Sequence, residues 1–535
     1  MTYTVPVVVS GGGPVGLMAA LDLHHRGVRV LLVERNLGTT QHPKMDVTNG
    51  RSLEHFRRLG IADRIRDVAV PRHHPMDVAW VTRLHEWELT RFRYDDVNRV
   101  REATRARNDG TQPLEPSMRL SQIVLEPELV RILRQCSGVE LRFGWAVTRV
   151  VQDEEGVTAT ITESATGRDE QVRCALLAGC DGAGSAVRQQ LGIKSDGRYD
   201  VVRLFMVHFR STHRELLQKF GIAWHYQSPI GGTLIAQDDA EIWTLHAPID
   251  PSQTASINPV ELVHNSLGVE FPLEVLQANA FSLHLVVADH YGHNRVWMAG
   301  DSVHQFIPTG GYGMNTGICD AADLAWKFAA VLQGWGGPKL LSSIESERRP
   351  IALQNRDMSE RHMNIRIKIA ERYDPMIHED SEAGVEARQK LTRIIDDFGN
   401  LENEALGIEI GYRYRESPII CHEGSEPSWS AGESRPSTWP GSRAPHVFLE
   451  DGSAIFDTFG PGFTLLRFAH VDTRPMEDAA RARGVPLVIV DVRDHHAAKL
   501  YVRQLVLVRP DQHVAWRGNE MPADCYAIVD RIRGA

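Results

Sequence analysis

The sequence predicts an α/β protein in which two domains are interleaved along the chain and a third follows them. Three observations carry that expectation. Residues 4–10 are a short β-branched run, 14–25 have helical spacing with Leu17, Leu21 and Leu23 among small residues, and 28–34 are a second apolar run, giving strand, helix, strand. After Gly192 the pattern turns to β alternation rich in Phe, Trp, His and Val up to about Val287, and residues 296–301 then return as a buried strand ending in a Gly-Asp turn. Finally, a stretch with Pro427, Pro436 and Pro440 among Ser and Gly precedes three more strand-like runs at 463–468, 486–492 and 504–508.

Between these landmarks each element has its own signal. A polar loop follows Glu34, a helix is expected from Ser52, and residues 78–93, with Trp and Thr, read as extended. An amphipathic helix follows Ser121, alternating strands occupy 139–161, and helices are expected from Asp320 through Leu332 and from about 345 to 398. The domain plan is therefore 1–75, 111–195 and 291–345 for the nucleotide-binding domain, with 76–110 and 196–290 for the inserted sheet. A helical segment at 346–400, a linker or surface wrap at 401–445 and a tail domain at 446–535 complete it.

Composition narrows the class. A chain of 535 residues fits two or three domains, each able to bury a core. Its net charge is −10 with both signs interspersed, so nucleic acid is not an expected partner. The six cysteines are scattered without a C-x-x-C pair, which suggests neither a metal site nor a disulfide framework but reduced thiols in the cytoplasm. No basic-flanked leader opens the chain and no window approaches roughly 18 uninterrupted apolar residues, so neither export nor membrane spanning is expected.

Chemistry begins at Gly11-Gly12-Gly13-Pro14-Val15-Gly16. This G-x-G-x-x-G lies between strand and helix, where glycines admit a close backbone approach and a helix N-terminus faces a pyrophosphate. Glu34, about 20 residues on at the end of the second strand, is placed to accept hydrogen bonds from ribose hydroxyls. These two features suit a nicotinamide dehydrogenase and a flavoprotein equally. Two further motifs separate them. Cys180-Asp181-Gly182-Ala183-Gly184-Ser185-Ala186-Val187-Arg188 follows a buried run, and Gly300-Asp301-Ser302-Val303-His304 precedes Pro308 and Gly310-Gly311-Tyr312-Gly313-Met314-Asn315-Thr316-Gly317.

In order and separation these three motifs resemble those of the class A, single-component FAD-dependent aromatic hydroxylases. Arg348-Arg349-Pro350 and Arg443-Ala444-Pro445-His446 extend the resemblance to the phenol hydroxylase and dichlorophenol monooxygenase branch, with its thioredoxin-like tail, here lacking a redox pair. The resemblance implies a Rossmann-like FAD-binding domain interleaved with a mixed-sheet substrate domain of the p-hydroxybenzoate hydroxylase type. It assigns Gly11, Gly13, Pro14, Val15, Gly16, Glu34, Arg35, Lys44, Arg51, Gln122, Asp181, Asp301, Pro308, Gly313, Met314 and Asn315 to the cofactor. Within that set Glu34 meets the adenosine ribose, Asp301 the ribityl chain, and the amides of Gly313–Asn315 the pyrimidine edge of the flavin.

The implied reaction uses NADPH or NADH as a transient hydride donor, since no second G-x-G-x-x-G is present to hold it, and dioxygen as the other co-substrate. Oxygen passes from a flavin hydroperoxide to a phenolic ring. A phenol titrates near pH 10, so the site needs a base, and Asp46, five residues before Arg51, resembles the hydroxylases' active-site aspartate. An aspartate that only caps its loop is the alternative. Phe205, Trp224, His225 and Tyr226 on the inserted sheet, with Pro308, are the substrate-contact candidates, although a sheet also buries aromatics for packing. A homodimer is expected. Two other functions use the same flavin machinery or part of it: an epoxidase or Baeyer-Villiger oxygenase on a polycyclic compound, and a non-catalytic flavin-binding protein.

Overall fold

The computed structural model describes residues 3–238, 240–250, 254 and 256–535. The opening unit forms as its periodicity predicts, with strand Tyr3–Ser10, helix Pro14–His25 and strand Val30–Glu34. Tyr3–Ser10 lies centrally in a sheet ordered Gly292–His293, Val296–Met298, Asp169–Gly179, Tyr3–Ser10, Val30–Glu34, Val139–Phe143. All contacts from Val296–Met298 onward in that order are parallel. Continuous apolar runs fit such strands because both faces are covered, and Val7, Val8, Val9, Leu31 and Leu32 are inaccessible to solvent. The chain thus leaves this sheet and rejoins it at Val296–Met298, as the interleaved reading requires.

The second sheet takes strands from both insertions. Its order is His304–Gln305, Glu274–Ala288, Ser195–Arg210, Ile242–Pro248, Thr233–Ala236, His225–Gln227, Val78–Val81, Glu88–Phe92. Only His225–Gln227 with Val78–Val81 is parallel, so the sheet is mixed. Alternation divides its side chains. Phe205, Val207, Phe209, Tyr226, Leu234, Trp243 and Leu245 form a core on the outer face with Val263 and Leu267 of helix Pro259–Leu267, while the inner face looks toward the first domain.

The tail has strands in the order Leu487–Asp491, Phe463–Arg467, Leu505–Val508, Val514–Gly518, the first pair parallel and the rest antiparallel. Helices Arg474–Ala482, His495–Tyr501 and Cys525–Ile532 complete a βαβαββα unit with the layout of a thioredoxin-like domain. It is welded to the body. Trp326 of helix Tyr312–Leu332 belongs to the tail's core and meets Phe463 edge-on, with ring centroids 6.1 Å apart.

That helix begins at Tyr312, eight residues before the expected Asp320, because the glycine-rich stretch is its first turns. Glycine is a poor helix former, but a Cβ at Gly317 would lie 2.5 Å from Val15 Cγ2. Close approach to the first glycine turn, not local propensity, decides the residue there. Among the described residues no helix is long and apolar enough to cross a membrane.

Candidate active site

The glycine turn separates glycines that shape the backbone from one that faces a ligand. Gly11 has φ +108°, and a Cβ there would fall 2.1 Å from Cys180 O; a Cβ at Gly16 would fall 2.0 Å from Gly11 O. Both are needed to close the turn against the neighbouring strand. Gly13, the N-cap of helix Pro14–His25, would carry a Cβ into open space, and Pro14 starts the helix without an N–H to satisfy. Open space at a helix N-terminus is where a pyrophosphate fits. Glu34 closes the pocket's edge: one oxygen accepts Gly12 N–H at 2.7 Å, the other accepts Asn36 N–H at 2.9 Å and its side-chain amide at 2.6 Å.

Asp301 sits in a one-turn 3₁₀ segment, Gly300–Ser302, pinned by Ser302 Oγ donating to Gly179 O at 2.7 Å and Arg188 Nη1 donating to Ser302 O at 2.6 Å. Its side chain is exposed, yet its depth among protein atoms pushes the carboxyl above the usual range, against the charges of His304 and Lys44. A deep but open carboxylate marks the wall of a cleft. Opposite it, Gly311 in the left-handed region caps helix Tyr312–Leu332, and Gly313 in the first turn again points a missing Cβ into open space. These residues fit FAD: two helix N-termini, at Gly13 and at Gly313, are each open to a ligand, with Val15 packed against Gly300 and Gly317 between them.

Asn315 builds this loop with its side chain. Its Oδ1 accepts Asn49 N–H at 3.0 Å and Ser52 Oγ–H at 2.7 Å, and its Nδ2 donates to Gly311 O at 2.8 Å and Val47 O at 3.2 Å. Asp181 likewise serves the backbone, accepting Ser185 Oγ–H and Val187 N–H, and burial raises its carboxyl. Gln122 donates from Nε2 to Glu126 at 2.7 Å, while its N–H bonds Met45 O. Pro308, Lys44 and Arg35 are exposed, and Met314 is half-buried beside Gly313.

Asp46 occupies the seam between the two domains. Leu120 N–H and Gln122 N–H bond the carbonyls of Asp46 and Met45, and the short ladder Val47–Thr48 with Met118–Arg119 continues that pinning. Its Oδ2 accepts Trp224 Nε1–H at 2.7 Å and lies 3.0 Å from His225 Nε2. Burial pushes this carboxyl up, but the bonds from His225 and Trp224, with the His225 charge, outweigh it and hold it below the usual carboxylate range. An ionised acceptor makes Nε2 the protonated nitrogen of His225. Oδ1 has no donor among the described residues, and the side chain remains 19% exposed.

Three expected contacts lie elsewhere. Phe205 and Tyr226 point to the outer face; Tyr226 donates to Gly221 O at 2.6 Å and lines a separate cavity of about 130 Å³ with Leu84, Leu234 and Leu267. Alternation explains Tyr226, since it follows His225 in the strand His225–Gln227 and a step of one residue reverses the face; Trp224 lies just before that strand and packs with Val78 and Ile235. The Arg51 guanidinium is buried away from the cleft. It donates to Glu54, to Gln512 Oε1 at 2.6 Å and to Asp511 O at 2.6 Å, so the tail domain captures it. Conversely, the inner face brings in residues that carried no motif: Gln227, Thr233, His246 and Asn279 by register, and Arg366 and Glu402, which pair with each other beside Thr233 and Gln227. Only tertiary pairing places them, although the alternation of 242–248 was a usable signal for His246.

The geometry defines a two-domain α/β scaffold with a dinucleotide cleft and an enclosed carboxylate beside it. Residues 4–359 match the FAD binding domain model, and 437–535 the aromatic-ring hydroxylase C-terminal model. The chain is 37% identical over 549 residues to the FAD-dependent monooxygenase apdD of Emericella nidulans, covering 96% of this chain and 88% of that one. Among solved structures, RebC soaked with chromopyrrolic acid and holding 7-carboxy-K252c superposes with a TM-score of 0.91 at 36% identity, covering 100% of both chains. The flavin-dependent monooxygenase PieE, in complex with FAD and substrate, gives 0.89 at 30%, covering 99% of both. The chain therefore belongs to the class A FAD-dependent aromatic hydroxylases, and it is an FAD-dependent monooxygenase.

Proposed function

We propose that this enzyme hydroxylates a phenol-type aromatic ring, consuming NADPH or NADH and dioxygen, with Asp46 as the group that holds the ring hydroxyl. The observation that carries this reading is the single free oxygen of Asp46: Oδ2 is fixed by Trp224 and His225, and Oδ1 is left facing the seam. FAD, when bound and reduced, supplies the activated oxygen. The chain's own part is to present the ring. Asp46 Oδ1 accepts the hydroxyl proton as a hydrogen bond, which loads electron density onto the ring carbons; a hydrogen bond to a buried, ionised acceptor is stronger than one to water. Trp224 holds that acceptor in one orientation and contributes an apolar wall.

The hydride donor docks without a tightly binding fold of its own, in keeping with a single G-x-G-x-x-G in the chain. The test is NADPH and NADH oxidation by the FAD-loaded protein across a panel of phenols and polycyclic phenols, with products from labelled dioxygen identified. Acceleration by an aromatic compound with one labelled oxygen in a new ring hydroxyl is the expected result. A lactone or epoxide product, or no acceleration by any aromatic, would overturn it.

A further inference from the structure

One cross-strand row on the inner face of the inserted sheet reads Thr233, His246, Met206, Asn279, each the register partner of the next. Most polar groups around this row bond one another, although His225 Nδ1 is left without a partner among the described residues. Arg366 donates to Glu402 through Nε at 3.0 Å and Nη2 at 2.5 Å and to Thr233 Oγ1 at 3.0 Å, and Gln227 donates to Glu402 at 3.3 Å. His208 bonds Thr244 at 2.9 Å, Gln277 bonds His42 at 2.8 Å, and His225 is committed to Asp46.

Two groups in the row stand outside this set. His246 makes no hydrogen bond among the described residues; its ring meets Phe281 edge-on at 5.5 Å. Asn279 Oδ1 is buried with no donor, its Nδ2 making only a 3.3 Å contact with Ala280 O. Buried polar atoms are nearly always partnered, so the bare Asn279 Oδ1 marks a missing donor, and the half-buried His246 ring is open to a ligand beside it. Burial holds His246 at a pKa of about 4, so near neutral pH it is an uncharged imidazole with one donor and one acceptor, in the fields of Asp46, His225 and Arg366.

We propose that His246 and Asn279 are the specificity-determining contacts of the substrate, each taking one oxygen function of an extended, multi-ring aromatic molecule whose reacting ring lies at Asp46. This rests on the reading of the seam as the hydroxylation site. Spacing sets the size class. Neighbouring strands run about 4.8 Å apart, so His246 and Asn279, with Met206 between them, stem from backbones about 10 Å apart. A single ring does not bridge that span, whereas three fused rings with oxygens on opposite edges do. Asn279 Oδ1 can only accept and so takes a hydroxyl; His246 takes either a hydroxyl or a carbonyl.

The test uses FAD-loaded protein, wild type and the variants His246→Phe, His246→Gln and Asn279→Leu, with phenol and a dihydroxyanthraquinone as probes. Binding is read from the change in flavin absorbance, and turnover separately as KM and kcat. His246→Phe and Asn279→Leu should each weaken dihydroxyanthraquinone binding by at least ~10-fold, as losing one buried hydrogen bond implies, and raise KM more than they lower kcat. Phenol binding should be unchanged, and His246→Gln, which keeps a donor and an acceptor, should bind within a few-fold of wild type. Wild-type dihydroxyanthraquinone affinity in both apolar variants, or equal losses for phenol, overturns the proposal and leaves the hydroxylase reading standing. A wild-type protein that neither binds nor turns over any aromatic probe overturns both.

Discussion

Asp46 shows how one side chain acquires a role through its neighbours. Asp46→Ala should lower hydroxylation by roughly 10²–10⁴-fold, the loss typical of a positioned proton acceptor, while FAD affinity in a flavin titration stays near wild type. His225→Phe tests the electrostatics: without its bond and charge, burial is opposed only by the Trp224 bond and the weaker influence of His246, so the Asp46 pKa rises and the acid limb of kcat/KM moves to higher pH. An acid limb that stays in place would show that His225 does not hold the carboxylate ionised. Gly13→Ala separates fold from ligand, since its Cβ meets no protein atom: apo stability in thermal melts should be unchanged and FAD affinity weakened. At this scale the sequence marked the glycine turn and the loop of Asp46 because their motifs are contiguous, and named Trp224 only as one aromatic of the inserted sheet. It misplaced Phe205 and Tyr226 because nothing in composition tells which parity of a strand faces inward, and it passed over His246 and Asn279 because their neighbours belong to other strands.

Among elements, helix Tyr312–Leu332 carries the most. Its first turn faces the flavin cleft, Gly317 lets it press against the first glycine turn, and its last turns enter the tail's core. Periodicity located its apolar half and missed its start, because the glycines that weaken a helix locally are those that tertiary contact demands. Asn315, one turn in, holds four bonds, one back to the cap of its own helix and three to residues 47–52. Asn315→Ala should cost about 2–4 kcal/mol in urea unfolding, the sum expected when buried partners lose their mates, and should speed FAD release. Equal stability in the variant would mean that the loop is held by its backbone alone.

For the whole molecule, the interleaved plan was legible because each return to the first sheet is announced by a buried run, whereas the welding of the tail was not. Arg509 of the tail donates to both oxygens of Glu347 and to Asp323, while Lys327 donates to Asp323 at 2.8 Å and Glu347 at 2.6 Å, all fully buried. Against the cost of burial, Arg509 and Lys327 hold Glu347 below the ordinary range. Its folded pKa lies below its unfolded one, so the stability it contributes is complete above about pH 4.5 and is lost as pH falls toward the folded value. Asp323 beside it is pushed up by burial, so its protonation works the other way below neutrality, and the loss due to Glu347 should appear as a fall in the urea midpoint below about pH 4.5. Arg509→Met should cost about 3–5 kcal/mol at pH 7 by stranding the carboxylates and should flatten that acid dependence. A variant as stable as wild type would show that the network is neutral for folding.

The capture of Arg51 and Glu347 by residues 509–512 has a consequence for synthesis on the ribosome. Helices Gly50–Arg58 and Ser343–Ala370 each carry a buried charged group, Arg51 and Glu347, part of whose hydrogen bonding comes from residues translated more than 160 residues later. Until residues 509–512 emerge, Arg51 has only Glu54 and Glu347 only Lys327 as ion partner, and each keeps hydrogen-bonding capacity unmet at what will become an interior surface. The nascent nucleotide-binding domain therefore cannot complete its native packing one domain at a time. Its final docking waits on the tail, and truncated nascent chains should remain protease-sensitive around residues 50–58 and 343–350 until the tail has cleared the exit tunnel.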